Sequence, residues 1–311
     1  MNVLFFVFEG VFPVFLLIII GAVLKNRKVI GPEFSKGASM VSFKLALPSL
    51  AFTKIATLDF SQVFILKEIL IIGGLTLLVT AISALISMRF SDVTQKGAFI
   101  QGTFRGNIVI IGIALTLNLY GEAMAARAAM ILAFMLPLFN ILAVVVLTLP
   151  LHGLNAKGVL KSLKSIATNP IIMGVATAMF FSFFRVPVPS ILGKLLGYLA
   201  DLALPLALIN IGGSLSSQGL KEKGRKALGS SLIKIVFLPV VAVIIFYTIG
   251  YRQDELGMIF LITGAPAAVS SHIMADAMHN DGDLAALIVM ISTALASITT
   301  MAGVSIIQAF L

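Results

Sequence analysis

The chain has 311 residues, of which 59% are hydrophobic and only 11% are charged. A soluble domain carries about 25% charged residues, so this composition excludes an ordinary soluble protein. The net charge of +9 would suit nucleic-acid binding, but Lys and Arg fall mostly in short loops between apolar stretches, so we expect no nucleic-acid partner. The chain has no cysteine, which excludes disulfides and thiolate metal sites.

Ten apolar stretches are each long enough to cross a bilayer, which takes about 20 residues. They cover residues 4–24, 36–55, 67–88, 96–119, 123–149, 168–185, 190–214, 229–250, 256–277 and 284–309. No basic residue precedes the first stretch, so it indicates an uncleaved span rather than a secretory signal peptide. The sequence therefore predicts an all-α integral membrane protein with ten transmembrane helices in a lipid bilayer.

The basic residues are distributed unequally between alternate loops. One set of loops holds thirteen of them: Lys25, Arg27, Lys28, Lys36, Arg89, Lys96, Lys157, Lys161, Lys164, Lys221, Lys223, Arg225 and Lys226. The other set holds six, and Lys44, Arg105 and Lys234 lie inside spans. The positive-inside rule places the richer set in the cytoplasm, with both termini on the extracytoplasmic side. The connector 151–167, with three of these lysines, predicts an amphipathic helix on the membrane surface.

Two pairs of matching segments indicate an internal repeat. Leu45–Pro48 in the second span and Leu202–Pro205 in the seventh have the same four residues, and Pro13 and Pro170 lie near the starts of the first and sixth spans. Both pairs of prolines are separated by 157 residues. We therefore expect a five-helix repeat in 1–150, the cytoplasmic connector 151–167, and a second repeat in 168–311. An odd number of spans forces the second copy to insert upside down, as in many secondary transporters.

The fourth and ninth spans each contain a polar cluster that weakens a helix, Gly102–Asn107 and Thr263–His272. Pro266 removes a backbone hydrogen bond, while Gly106 and Gly264 lower the cost of unwinding. Backbone groups freed at membrane depth are tolerated only inside the protein or beside a water-filled cavity. The sequence therefore predicts two broken helices, spans four and nine, whose interruptions face inward.

This arrangement suits a small organic anion. Half-helices that begin after Gly106 and after Pro266 present N–H groups and partial positive charge. Asn107 can donate hydrogen bonds or cap its half-helix, and Arg105 carries a planar fork that matches a carboxylate. The candidate substrate-binding residues are Arg105, Gly106, Asn107, Pro266, Ala267, Ser270 and Ser271. Two other interpretations of Arg105 remain open: an internal ion pair, or a side chain that snorkels to the cytoplasmic end of its span.

The coupling ion has two candidates. His272 and Asp276 are four residues apart and share a helix face, so they could carry a proton; alternatively, His272 only hydrogen-bonds inside the bundle and Asp276 lies at the cytoplasmic end. Sodium is the rival, because amide, hydroxyl and carbonyl oxygens suit a hard cation. The oxygen ligands proposed for sodium are Asn140, Asn210, Ser270, Ser271 and unwound carbonyls. Asn140 could instead line the site or simply bond across helices. No other cofactor is expected.

At these residues the chain resembles the auxin efflux carrier family, including its bacterial members of the malonate and malate transporter type. The resemblance rests on Pro48, Phe104–Asn107, Pro205 with Gly212, and Ala265–Ser270, and it covers essentially the whole chain. Asn107 is followed by Ile108 where plant members have proline, and the long loop of many plant carriers between spans five and six is missing. A small carboxylate is therefore a better expectation than auxin.

The resemblance implies a scaffold of spans 1, 2, 6 and 7, a transport domain of spans 3–5 and 8–10, and substrate at the crossing of spans four and nine. It also implies a homodimer through the scaffold. We expect an elevator-type secondary transporter of a mono- or dicarboxylate in the bacterial inner membrane; the alternative is a non-transporting receptor or sensor on the same fold. An enzyme is not expected, because the nearest catalytic pair, Ser271 and His272, consists of helix neighbours that do not face each other.

Overall fold

The computed structural model describes residues 3–56, 66–152, 156–214 and 217–310. Within these ranges the chain is almost entirely helical. The helices are α1 (Val3–Asn26), α2 (Pro32–Val41), α3 (Leu47–Ile55), α4 (Leu66–Ser87), α5 (Val93–Phe104), α6 (Ala114–His152), α7 (Ala156–Ala167), α8 (Pro170–Phe183), α9 (Ser190–Asp201), α10 (Ala203–Ser214), α11 (Ser217–Leu232), α12 (Leu238–Thr248), α13 (Gln253–Gly264), α14 (Ser270–Ala277) and α15 (Gly282–Phe310). Three π-helical turns, Ser42–Ala46, Ile108–Ile113 and Ile233–Phe237, lead into α3, α6 and α12.

Five helical stretches in the described ranges are long and apolar enough to cross a membrane. They are Leu66–Ser87, Ile111–His152, Ser190–Ser214, Gly219–Thr248 and Gly282–Ala309; Phe12–Asn26 and Pro170–Phe183 are shorter apolar helices. The predicted class, a helical membrane protein, is therefore confirmed. The count of ten spans and their inverted repeat stay predictions.

Two predicted connections can be compared with the structure. Gly121 interrupts α6 with a φ of 80°, a conformation open to glycine, and it lies in the gap predicted between spans four and five. The connector predicted at 151–167 falls partly on residues 153–155, which lie outside the described residues. Its remainder forms α7, where Lys157, Lys161 and Lys164 are all exposed.

The prolines singled out in the sequence mark irregular points of two helices. Pro48 follows the π-helical turn Ser42–Ala46, so the chain is widened there but not broken. A wider turn is a common response to proline, which donates no hydrogen bond and crowds the carbonyl one turn earlier. Pro205 lies in the first turn of α10, directly after the junction with α9. Pro239, which the sequence analysis did not single out, follows the turn Ile233–Phe237 in the same way.

The helices pack into two groups. In the first group α1 lies against α10, and α3 lies against α8 and α9. In the second group α5 packs on α4, α6 and α15, α13 packs on α6 and α12, and α11 packs on α15. The short helix α14 packs on α15 and also contacts α2 and α10, so it joins the two groups.

Helices α1 and α10 touch backbone to backbone. A Cβ built on Gly212 would lie 1.9 Å from the carbonyl oxygen of Ile18, and one built on Gly21 would lie 2.1 Å from the carbonyl oxygen of Ile209. Any side chain at either position would force the helices apart. Small residues commonly allow such close helix contacts in membrane proteins.

We therefore expect Gly212→Ala to lower the thermal stability of the purified protein. Overpacking costs about 1–3 kcal/mol even where the neighbours are side chains, and backbone can yield less. The matched control is Gly197→Ala in α9, where an added Cβ meets nothing within 4 Å. This control should be neutral or stabilising, since alanine favours a helix over glycine by about 1 kcal/mol. Circular dichroism melting in detergent measures both, and equal melting of Gly212→Ala and the parent chain would contradict the backbone contact.

Candidate functional site

The interruption between α5 and α6 and the interruption between α13 and α14 lie side by side. The N–H of Asn107 donates to the carbonyl of Pro266 at 2.7 Å, and the N–H of Ala268 donates to the carbonyl of Arg105 at 2.9 Å. Gly106 and Ala267 thus form an isolated antiparallel bridge. Each broken helix supplies partners for backbone groups that the other has lost, which meets the requirement that such groups be satisfied inside a membrane.

A third partner comes from α15. The N–H of Ala267 donates to the hydroxyl of Ser292 at 3.0 Å, and that hydroxyl donates to the carbonyl of Val289 in its own helix. Ser292 is completely buried. The sequence carries no signal for this role, because a serine within a helix ordinarily bonds only its own backbone.

The half-helices begin later than predicted. After Pro266, the chain continues without helical structure until α14 starts at Ser270. After Gly106, the chain resumes at Ile108 with a π-helical turn, and Asn107 stands at the N-cap position without a capping bond from its side chain. Of the two roles expected for Asn107, capping is not seen, and among the described residues no hydrogen bond engages its side-chain amide.

A cavity of about 380 Å³ lies between the two groups of helices and reaches the crossing. Its polar lining consists of Arg105, Asn107, Asn140, Ser270, Lys54 and Asp201, together with the backbone of Gly106. Its remaining walls are apolar side chains from α3, α6, α8, α9 and α10. We call this space the first cavity. It brings four of the seven predicted binding residues to one surface: Arg105, Gly106, Asn107 and Ser270.

The other three predicted binding residues do not line the first cavity. Pro266 and Ala267 contribute their backbone to the bridge, and Ser271 is buried with its hydroxyl unpartnered among the described residues. Gly264 ends α13 and packs beside Pro239. These residues build the interruption rather than its exposed face.

Arg105 is held by neutral groups. Its guanidinium donates to Oδ1 of Asn140 at 2.9 Å and contacts the sulfur of Met274 at 2.6 Å, and the residue is only 8% exposed. In the part of the chain that the structure describes, no carboxylate pairs with it. Among the described residues, Arg105 therefore has neither the acidic partner of an ion pair nor the exposure of a snorkelling side chain, and its role stays a prediction. Asn140 lines the cavity and also bonds across helices.

Asn210 and Asp276 line a second cavity, and His272 contacts Asn210. This space has a volume of about 590 Å³ and is lined by Lys25, Lys28, Lys36, Ser35, Asn210, Ser214, Asp276 and Asp283, with neighbouring loop residues. The first cavity borders the start of α10 and the second borders its end. The two cavities therefore lie at opposite ends of α10.

Asn210 is the centre of a buried hydrogen-bond network at the second cavity. It accepts from Ser35 at 2.5 Å, donates to Ser39 at 2.9 Å and contacts Nε2 of His272 at 3.2 Å. His272 binds the carbonyl of Gly282 through its other ring nitrogen, at 2.9 Å, and does not bond Asp276. Asn210, one of the oxygen ligands proposed for sodium, is thus engaged in this network, while Asn140 and Ser270 line the first cavity, and a sodium site stays a prediction.

Metal ligation has no support from a cluster of ionisable groups. Among the described residues, no three His, Cys, Asp or Glu side chains gather closely enough to hold a metal ion.

Lys234 is a residue of the crossing that the sequence analysis placed in a span without giving it a role. Its amine is buried, donates to the carbonyl of Thr263 and packs against Gly106. The sequence carried no stronger signal than a lysine within an apolar stretch.

The role of Ser292 in the crossing can be tested by stability. In Ser292→Ala the buried N–H of Ala267 loses its partner, which costs about 1–3 kcal/mol. The matched control is Thr293→Val, because the hydroxyl of Thr293 bonds only the carbonyl of Val289 in its own helix. Thermal melting in detergent should fall clearly for Ser292→Ala and little for Thr293→Val. Equal losses would show that Ser292 does not support the crossing.

Comparison with known proteins gives a consistent result. Residues 6–302 match the family described as membrane transport protein. An uncharacterized transporter of Methanothermobacter thermautotrophicus is 23% identical over 296 residues, which cover 94% of this chain and 95% of the relative. An uncharacterized transporter of Methanocaldococcus jannaschii is 25% identical over 293 residues, covering 92% and 94%. These names describe transporters and not enzymes, as expected from the sequence. The chain belongs to the membrane transport protein family, which is the auxin efflux carrier family indicated by its sequence.

Proposed function

We propose that this protein is a secondary active transporter that moves a small organic anion, a mono- or dicarboxylate of the malonate or malate kind, by elevator-type alternating access. The observation that carries the proposal is Arg105, a buried guanidinium that lines the first cavity and has no carboxylate partner among the described residues.

The electrostatics of Arg105 favour an anionic ligand. An arginine at the centre of a bilayer costs about 2.5–3.5 kcal/mol on the lenient insertion scale, and among the described residues no carboxylate bonds Arg105 to offset that cost. Asn140 and Met274 each contact one nitrogen of the guanidinium, and its five N–H groups leave donors for further hydrogen bonds. A substrate carboxylate in the first cavity would supply the missing negative charge.

Neighbouring groups support the same ligand. The free amide of Asn107 and the hydroxyl of Ser270 line the cavity beside Arg105. The half-helices starting at Ile108 and Ser270 direct their amino ends toward this side of the crossing, and such ends attract anions. The volume lies in the range of small-molecule sites, and the apolar walls suit the carbon skeleton of a small acid.

Alternating access is supported by the two cavities. The described part of α10 has twelve residues, so its ends are about 18 Å apart, and one cavity borders each end. The first cavity reaches the crossing, while Asn210, which lines the second, is held by hydrogen bonds to Ser35, Ser39 and His272. We interpret this arrangement as a state in which substrate enters from the side of the first cavity.

The same proposal includes the ten spans, the inverted repeat and the division into domains. We assign α1, α2–α3, α8 and α9–α10 to the scaffold, and the other spans to the transport domain. The packing of α1 on α10 and of α3 on α8 and α9 supports this division.

We further propose a homodimer through the scaffold, both termini outside the cell, and a location in the plasma membrane. His272 and Asp276 are candidates for carrying a coupling proton at the second cavity.

Transport assays test the substrate and its site. Proteoliposomes with an imposed pH or sodium gradient should accumulate labelled malonate or malate. Arg105→Gln and Asn107→Ala should each lower the flux by about tenfold or more, because loss of one charged or polar contact to a ligand is worth over 1.4 kcal/mol. Pro266→Ala should also reduce flux by disturbing the interruption. The matched controls are Arg89→Gln and Asn118→Ala, two exposed positions that should keep normal flux.

The outcomes separate the proposals. Normal flux in folded Arg105→Gln and Asn107→Ala protein would contradict the site at the crossing. If the parent chain binds a carboxylate but moves none, the protein is a receptor or sensor on a transporter fold.

Single cysteines test the opposite access of the two cavities, since the chain has none of its own. Lys54→Cys lies at the first cavity and Lys28→Cys at the second, and both positions are exposed. A membrane-impermeant maleimide added to intact cells should label Lys54→Cys, whereas Lys28→Cys should react only after the membrane is opened. Labelling of both from the same side would contradict the proposed access.

A further inference from the structure

The amine of Lys234 lies at the carboxyl end of α13, the first half of the broken ninth span. It donates to the carbonyl of Thr263, one of the last carbonyls of that helix. The last four carbonyls of a helix have no partner within the helix, and together they carry about half a negative charge. The amine thus meets an acceptor that the interruption itself has created.

The backbone of the other broken helix closes the site from the opposite side. A Cβ on Gly106 would lie 3.0 Å from Cε and 3.1 Å from Nζ of Lys234, and 3.2 Å from the carbonyl oxygen of Ala265. The amine therefore packs directly on the glycine backbone, beside a second carbonyl of the unwound segment. Gly106 lacks a side chain at the one place where the amine needs that space.

Among the described residues, no acidic side chain pairs with this amine. Lys234 is 1% exposed, and in the described ranges it forms no ion pair with an acidic side chain. The void beside it has a volume of about 10 Å³, and its lining includes no ionisable side chain other than Lys234. Such a void holds at most one water, so the carbonyl of Thr263 is the main partner of the amine among the described residues.

Unwound carbonyls and the carboxyl ends of half-helices are the groups with which broken transporter helices bind a coupling sodium ion. We propose that the ammonium of Lys234 is a fixed cation of this crossing, held at the carboxyl end of α13 in the position that a free sodium ion would occupy. The crossing is then assembled without sodium. The functional consequence, a carrier that needs no sodium at this position, rests on the proposed transport function. The test of the inference measures stability alone.

The first arm uses the unmodified protein. Thermal melting in detergent is followed by circular dichroism in sodium chloride and in N-methyl-D-glucamine chloride of equal ionic strength. We expect the same Tm in both salts, because the cation position is already filled. A saturable rise in Tm that is specific to sodium would overturn the proposal, whether or not the protein transports any anion.

The second arm removes the charge. Lys234→Met keeps most of the side-chain volume but leaves the carbonyls without a cation, so its Tm should fall by about 5 °C or more. The matched control is Lys44→Met, which lies in the corresponding π-helical turn before Pro48 but is exposed. Unchanged melting of Lys234→Met would overturn the proposal.

The third arm removes the amine and leaves its space empty. In Lys234→Ala the space of the amine is open to solutes, and we expect sodium, but not N-methyl-D-glucamine, to raise its Tm. A Lys234→Ala protein that folds and ignores sodium would show that these carbonyls are not a cation site. If neither variant folds, the sodium comparison on the unmodified protein still decides.

Discussion

The backbone pairing of two interrupted helices is the constraint on which the rest of this structure depends. Each interruption frees N–H and carbonyl groups, and each unsatisfied group costs several kcal/mol in a lipid environment. The hydrogen bonds between Asn107 and Pro266 and between Ala268 and Arg105, with Ser292 as a third partner, remove most of that cost.

The crossing separates two positive charges. Arg105 faces the first cavity with hydrogen-bond donors to spare, while Lys234 lies behind Gly106 against the carbonyls of α13. The two cations meet opposite ends of the half-helices. The amino ends of two half-helices lie at the first cavity, where an anion is favoured. The carboxyl end of α13 lies beside Lys234, where a cation is favoured. Gly106 serves both sides, since it lines the cavity and leaves room for the amine.

The two groups of helices differ in how they are held together. Backbone contact at Gly21 and Gly212 joins α1 and α10 tightly, whereas the boundary between the groups contains the first cavity and mostly apolar side chains. Apolar walls make few directional bonds, so they suit a surface that slides. The polar exception is the network from Asn210 to His272, which ties α10 to α14 at the second cavity. Under the proposed mechanism this network must break and re-form in each transport cycle.

The amino-acid sequence by itself determined the helical membrane class, because only long apolar stretches with basic loops satisfy a bilayer, and it located both interruptions from glycine and proline chemistry. It also placed Arg105, Gly106, Asn107 and Ser270 in one site. Only the tertiary structure decided the partners: Asn140 for Arg105, Ser292 for Ala267, Thr263 for Lys234, and Asn210 for His272. These pairs are 25 to 62 residues apart along the chain. Which of them meet depends on how whole helices cross, and local residue patterns do not encode that geometry.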